Sequence, residues 1–195
     1  MTFVQARDAI VSALEAHIGH PVVLSDQIAD RPEFPYCYYS VLTPRTSNHA
    51  FGLHEVVGDE EHGYRHIRSE PVEATMSFTF CSQNRETEDG SYIYGEDEAL
   101  DLADKGHGFF LLKGHRIPVC GEDGEDGEDG EDDEDSGDSE DIVIRNVGSV
   151  AGRNGFVVED TVRRFGFDVR FAYVRTDEMP TTTILGARTP GNAHQ

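Results

Sequence analysis

The chain has 195 residues, enough for one domain with a sizeable core, and carries a formal charge of −22. No apolar stretch approaches the roughly 18 residues of a membrane-spanning helix, and the opening MTFVQARD has neither the basic patch nor the apolar core of a signal peptide. A surface this acidic repels nucleic acid and anionic lipid, so neither is expected as a bound partner.

Residues 3–18 read as an amphipathic helix: Ala6, Ile10, Ala13 or Leu14, and His17 or Ile18 recur at three-to-four spacing, and Gly19 with Pro21 ends it. Val22–Leu24 is a short candidate strand. In DRPEFPYCYYSVLTPR, prolines bound an aromatic and β-branched stretch, Tyr36–Leu42, which predicts a strand. Residues 46–70 are polar and hold His49, His54, His62 and His66; they suggest a hairpin turning at Gly58-Asp59 or near Gly63. Val72–Phe80 is the clearest strand, with Val72, Ala74, Met76, Phe78 and Phe80 on one face and Glu73, Thr75, Ser77 and Thr79 on the other.

Glu96–Leu112 predicts a second helix, built on Ala99, Leu100, Leu102, Ala103 and Phe109 to Leu112, with a break expected around Gly106 and Gly108. HRIPVC (His115–Cys120) reads as a strand and leads into GEDGEDGEDGEDDEDSGDSED (Gly121–Asp141). Within it, Glu122–Asp141 carries 14 carboxylates and no cation. Such a run cannot bury enough apolar surface to offset the entropy of ordering, so it is expected as a solvated loop inserted between two elements. Ile142–Val147, Gly155–Asp160 and Phe165–Val174 follow as strands, the last with Phe167, Val169, Phe171 and Tyr173 alternating against Asp168, Arg170 and Ala172. Pro180–Gln195 is polar and expected to be loose beyond Leu185. The order predicts an α+β domain over 1–178, interrupted by the 121–141 loop: an antiparallel sheet with two helices packed on one face, then a tail at 179–195.

Setting the 14 acids of the run aside leaves −8 on the other residues, and lysine is confined to Lys105 and Lys113 against 14 arginines. This is what life in molar salt selects, where a Debye length of about 3 Å screens carboxylate repulsion. Arginine-favouring codon usage with a triplet-expanded loop gives the same composition.

Motifs for catalysis are missing: there is no G-x-S-x-G, H-E-x-x-H, Walker loop or G-x-G-x-x-G, so no catalytic residue and no cofactor is expected. Of the four histidines only His62 and His66 have i,i+4 spacing, and Gly63 between them argues against a helix, so no metal site is expected although histidines could meet across strands. An EF-hand alignment of the acidic run from Asp132 places Glu134, Ser136 and Gly137 tolerably but puts Val143 where the bidentate Glu belongs, and fails. Cys37, Cys81 and Cys120 are too scattered for a Cys-x-x-Cys site and read as reduced thiols. Arg163, Arg164, Asp168 and Arg170 form a charged cluster around the last strand. It is either a solvated face with ordinary ion pairs or a contact with a neighbouring subunit.

VVEDTVRRFGFDVRFAYVRTDE (Val157–Glu178) resembles the closing segment of the tail-completion proteins of tailed viruses, the neck or tail-terminator family, in which a Gly-Phe-Asp-Val-Arg strand ends the domain. The preceding order agrees: an N-terminal helix, the Pro-bounded EFPYCYYSVLTPR, a strand like EATMSFTFCSQN and a second helix. The likeness spans Thr2–Glu178 outside the acidic insert; the insert, the histidine-containing hairpin and Arg164-Phe165 depart from it. The resemblance implies a non-enzymatic virion protein. Its subunits form a ring, usually sixfold, at the head-proximal end of the tail tube, contact the tube protein and the head–tail connector or adaptor, and let DNA through without binding it. On that reading the ring is assembled in the host cytoplasm, Arg163, Arg164, Asp168 and Arg170 lie at subunit contacts, and the charge points to a halophilic host. A head-completion adaptor of the same neck, a cation-binding module built on the acidic run, and an acidic DNA mimic are the rival readings; glycine at every third position of the run argues against the rigidity a mimic needs.

Overall fold

The computed structural model describes residues 1–26, 30–47, 52–59, 63–112, 116–119, 141–154 and 161–181. Helix α1 spans Phe3–Ile18 and buries Ala6, Ile10, Leu14 and Ile18, one per turn. Its ends are fixed by local chemistry. Thr2 and Gln5 form a reciprocal capping box, and Gly19 closes the helix at φ 76°, with its N–H donating to Glu15 O over 2.9 Å. Helix α2 spans Gly95–Leu112 without interruption. The expected break at Gly106 and Gly108 does not occur. Gly106 is there because α2 lies against Phe80: a Cβ at 106 would sit 2.5 Å from Phe80 Cζ.

Among the described residues ten strands follow or flank the helices: β1 (Val22–Leu24), β2 (Tyr36–Ser47), β3 (Leu53–Asp59), β4 (Gly63–Gln83), β5 (Arg85–Glu86), β6 (Tyr92–Ile93), β7 (Ile117–Pro118), β8 (Asp141–Val147), β9 (Ala151–Gly152) and β10 (Val162–Thr181). The main sheet runs β1-β2-β4-β10-β8-β7, with β3 extending the β2 side of β4 and β9 the β8 side of β10. The expectation of an α+β fold with two helices holds, but the sheet is mixed: β1 joins β2 in parallel, Val22 opposite Cys37, and every other pairing is antiparallel. Pro44 does not end β2 as its position suggested. The strand passes it with register shifts between Val41 and Thr46, the setting in which a residue without an N–H is tolerated. The Gly155–Asp160 strand, Cys120 and the acidic run up to Glu140 lie outside the described residues.

The core lies between the helices and one sheet face. Val72, Ala74, Met76, Phe78 and Phe80 of β4 and Phe167, Val169, Phe171 and Tyr173 of β10 all point to it, in register, Phe78 opposite Phe167. Phe110 of α2 packs edge-on to Phe167 and Phe3 of α1 stacks on Phe171, so aromatic side chains join both helices to the central strand pair. Lys105 Nζ donates to the carbonyl of Ile18 over 3.0 Å, which ties α2 to the C-terminal end of α1.

Candidate interaction surface

The strand face away from the helices alternates by the same period and is polar. Asp168 is its hub. Ser77 Oγ donates to Asp168 Oδ1 at 2.8 Å, and the Arg153 guanidinium donates to Asp168 Oδ1 at 2.7 Å, to Thr79 Oγ1 at 2.9 Å and to the Ser77 hydroxyl. Arg153 reaches these groups by lying over Gly166. β9 pairs with Phe165 and Gly166, Arg153 N–H donates to Arg164 O at 2.8 Å, and a Cβ at position 166 would overlap Phe78 O and lie 3.0 Å from Arg153 Nε. The glycine of the Gly-Phe-Asp-Val-Arg motif is therefore a passage for a side chain crossing between strands. Sequence reasoning missed Arg153, because it comes from a short connection with no local motif and meets Asp168 only through the fold.

The four predicted contact residues are not one cluster. Arg164, Asp168 and Arg170 project from the outer face, while Arg163, opposite Ser82, projects from the helix face at the other side of the sheet. Arg170 is exposed. Arg164 lies beside Cys81, whose thiol burial pushes up to about 11 despite the guanidinium acting the other way. Cys37, wholly buried, is raised well above the ordinary thiol range by the same cause, and both cysteines are free thiols. On the helix side, Arg85 clamps Glu98 with two bonds of 2.6 and 2.7 Å, and together with the Ser82 hydroxyl holds that carboxyl below the ordinary glutamate range.

A second surface is formed where β4 and β10 run past the helices. From Tyr64 to Ser69, β4 pairs with β3 on one side and with Thr176–Thr181 of β10 on the other, making a three-stranded arm. Several of its apolar side chains are exposed: Leu53 is 71% exposed, Val56 61%, Tyr64 52% and Met179 61%. By strand alternation Val56, Tyr64 and Met179 share the helix-side face, and Leu53, Val57 and Ile67 share the other. At the base of the arm Glu70, wholly buried, accepts from Arg68 at 2.6 Å and from Arg45, while Arg68 and Arg175 both bond Asp177, at 3.2 and 2.8 Å. Charges at the root are thus matched within the chain and apolar groups at the tip are not. Exposed apolar surface collected on one element, with backbone edges unpaired among the described residues, has the character of a surface suited to contact with another chain.

The arm also brings His54 and His66 together, Nδ1 to Nε2, at 3.0 Å. His49 and His62 lie outside the described residues, as does the stretch on which the EF-hand alignment was tried, apart from Asp141, Ile142 and Val143 in β8. Among the described residues no group of three or more His, Cys, Asp or Glu is placed to hold a metal ion, and no helix is long and apolar enough to cross a membrane.

A small α+β body with a bonded polar face and an uncovered strand arm has the build of an assembly subunit. The chain belongs to a family of that kind: the model of the phage neck terminator protein family matches residues 8–112, from the second turn of α1 to the end of α2. The protein is accordingly a structural component of the phage tail and neck, and its place is the virion. The match covers β1 to β6 and the β3–β4 half of the arm, within the Thr2–Glu178 span of the sequence likeness, but stops short of Val157–Glu178, which holds the Gly-Phe-Asp-Val-Arg motif. Comparison with curated proteins yields no match.

Proposed function

We propose that this chain is the subunit of a closed ring, close to sixfold, that caps the head-proximal end of the tail tube and joins it to the head–tail connector. The reading rests on membership of the neck terminator family, and the observation that favours a ring is the arm, whose apolar side chains and open edges call for a neighbour. In a cyclic array each copy offers the same pair of surfaces, so every edge is satisfied and none is left to aggregate. Arg163, Arg164, Asp168 and Arg170 flank the subunit contact in this arrangement, with Asp168 acting through its bonded Arg153 and Arg170 directly. The acidic surface lines a channel that gives DNA nowhere to adhere. Tube protein and connector or adaptor are the other partners, no residue is catalytic, assembly takes place in the host cytoplasm, and the host is halophilic. The family description favours the terminator layer over a head-completion adaptor.

Light scattering of the purified chain in molar and in dilute salt tests this. A closed species near six subunits at high salt, with rings visible by electron microscopy, supports the proposal. Failure to form rings both alone and in the presence of purified tail tubes rejects it.

A further inference from the structure

We propose that His54 and His66 form a two-imidazole site for a divalent transition-metal ion of the zinc, nickel or copper class, which clips β3 to β4. The two residues occupy diagonal positions of a regular antiparallel ladder: His54 faces Arg68 in register and Val56 faces His66. Their side chains leave the same face, and the rings lie 5.0 Å apart with His54 Nδ1 and His66 Nε2 converging to 3.0 Å. Bonds of about 2.0–2.1 Å from each nitrogen to one ion require the nitrogens to be roughly 2.9 Å apart at a right angle and 3.4 Å apart at the tetrahedral angle. The observed spacing falls in that interval, so the two nitrogens already stand at a separation one ion can bridge once the rings turn their lone pairs towards it.

The present contact is a hydrogen bond between rings, so one nitrogen carries a proton where the ion would sit. On binding, that imidazole takes its proton on the opposite ring nitrogen through solvent, both rings stay neutral, and both lone pairs point at the ion. Arg68, opposite His54 in the ladder, is engaged by Glu70 and Asp177 and so presents little uncompensated charge. Imidazole selects zinc, nickel and copper over magnesium and calcium, which separates this site from diffuse condensation on the carboxylates of 122–141. Water fills the remaining coordination positions. The element that gains is thinly packed: β3 is exposed from Leu53 to Gly58 and, among the described residues, pairs with β4 alone, and a ligand that binds only the paired form stabilises it by mass action.

The test is a zinc titration of the full chain by calorimetry, in excess magnesium to occupy the carboxylates, for the wild type, His54→Gln, His66→Gln and, as a control remote from the arm, His20→Gln. One site per chain is expected. Either arm substitution should weaken it at least 10-fold, His20→Gln should leave it unchanged, and amide exchange across β3 should slow at least 10-fold in saturating zinc for the wild type alone. His54 is exposed and His66 half-buried, and neither belongs to the hydrophobic core, so the variants fold. No zinc binding, or binding that survives both arm substitutions, overturns the proposal.

Discussion

Gly106 of α2 lies against the ring of Phe80, so close that an added Cβ would be 2.5 Å from Cζ. Phe80 cannot swing aside, because it is wholly buried and packs against Phe167 at 5.7 Å between ring centroids. Two effects of Gly106→Ala therefore oppose each other. Alanine gains about 1 kcal/mol of helix propensity, while overpacking a dense core costs about 1–3 kcal/mol. We expect the second to win and the melting temperature to fall by a few degrees. A rise in thermal denaturation would show that the helix can retreat from the sheet at little cost.

Glu70→Gln tests the root of the arm. The substitution leaves the Arg45 and Arg68 guanidinium groups facing a neutral amide, but both arginines reach solvent, so the full penalty of a broken buried pair does not apply. A loss of about 1–3 kcal/mol is expected in urea denaturation. Faster amide exchange should be concentrated at residues 64–70 and 173–178, leaving α1 and α2 at wild-type rates.

The helix-side pair gives a pH signature. Arg85 and Ser82 hold Glu98 below the ordinary glutamate value of 4.5, so the native state favours the charged carboxylate. Its stabilisation is complete above pH 4.5 and is lost as the pH falls through the lower, folded value. The stability gap between wild type and Glu98→Gln should be level from pH 6 to 7 and should close below pH 4.5. A gap that does not narrow at all as the pH falls below 4.5 towards the acid transition would mean that the carboxylate is not what Arg85 holds.

Thiol chemistry distinguishes the two described cysteines from ordinary surface thiols. With Cys81 pushed up to about 11 and Cys37 higher than usual by complete burial, neither supplies thiolate at pH 8. In a Cys120→Ser background, an alkylating reagent should label no native residue and two unfolded ones. Native labelling at the rate of a free thiol would contradict the buried placement.

The strands that flank the acidic run pair directly, Pro118 opposite Asp141 and Ile117 opposite Ile142. Replacing 122–140 by a four-residue turn should therefore keep the fold. If the run is the solvated spacer its composition argues for, the shorter loop adds about 1 kcal/mol by loop closure alone. A variant that fails to fold would show the run to be structural.

What could be read in the sequence depended on whether an element has a buried face. α1 was legible because Ala6, Ile10, Leu14 and Ile18 must all meet the core, and the open choice between Ala13 and Leu14 resolves to Leu14, with His17 packing on Phe109 instead. Val72–Phe80 was legible for the same reason. The nine residues before it, Gly63–Pro71, continue the same strand but carry no such alternation, since from Tyr64 to Ser69 no side chain is fully buried. Glycine at 106 pointed the wrong way: its low helix propensity argues for a break, and only the approach of Phe80, 26 residues earlier, gives the true reason. The outer-face network was legible at Asp168 and invisible at Arg153.

β4 and β10 pair residue for residue from Gln83 opposite Val162 to Tyr64 opposite Thr181, with no shift of register. At about 3.3 Å per residue this is a ribbon on the order of 65 Å long, and it carries both the aromatic core and the arm tip. A hinge would need a bulge or a missing rung, and this pair has neither. The arm is thus a fixed strut whose reach is decided inside the body of the subunit. In a closed ring it would act as a gauge, setting how far apart neighbours stand, and a substitution deep under α2 that altered the twist of the pair would be felt as a change in the diameter of the ring.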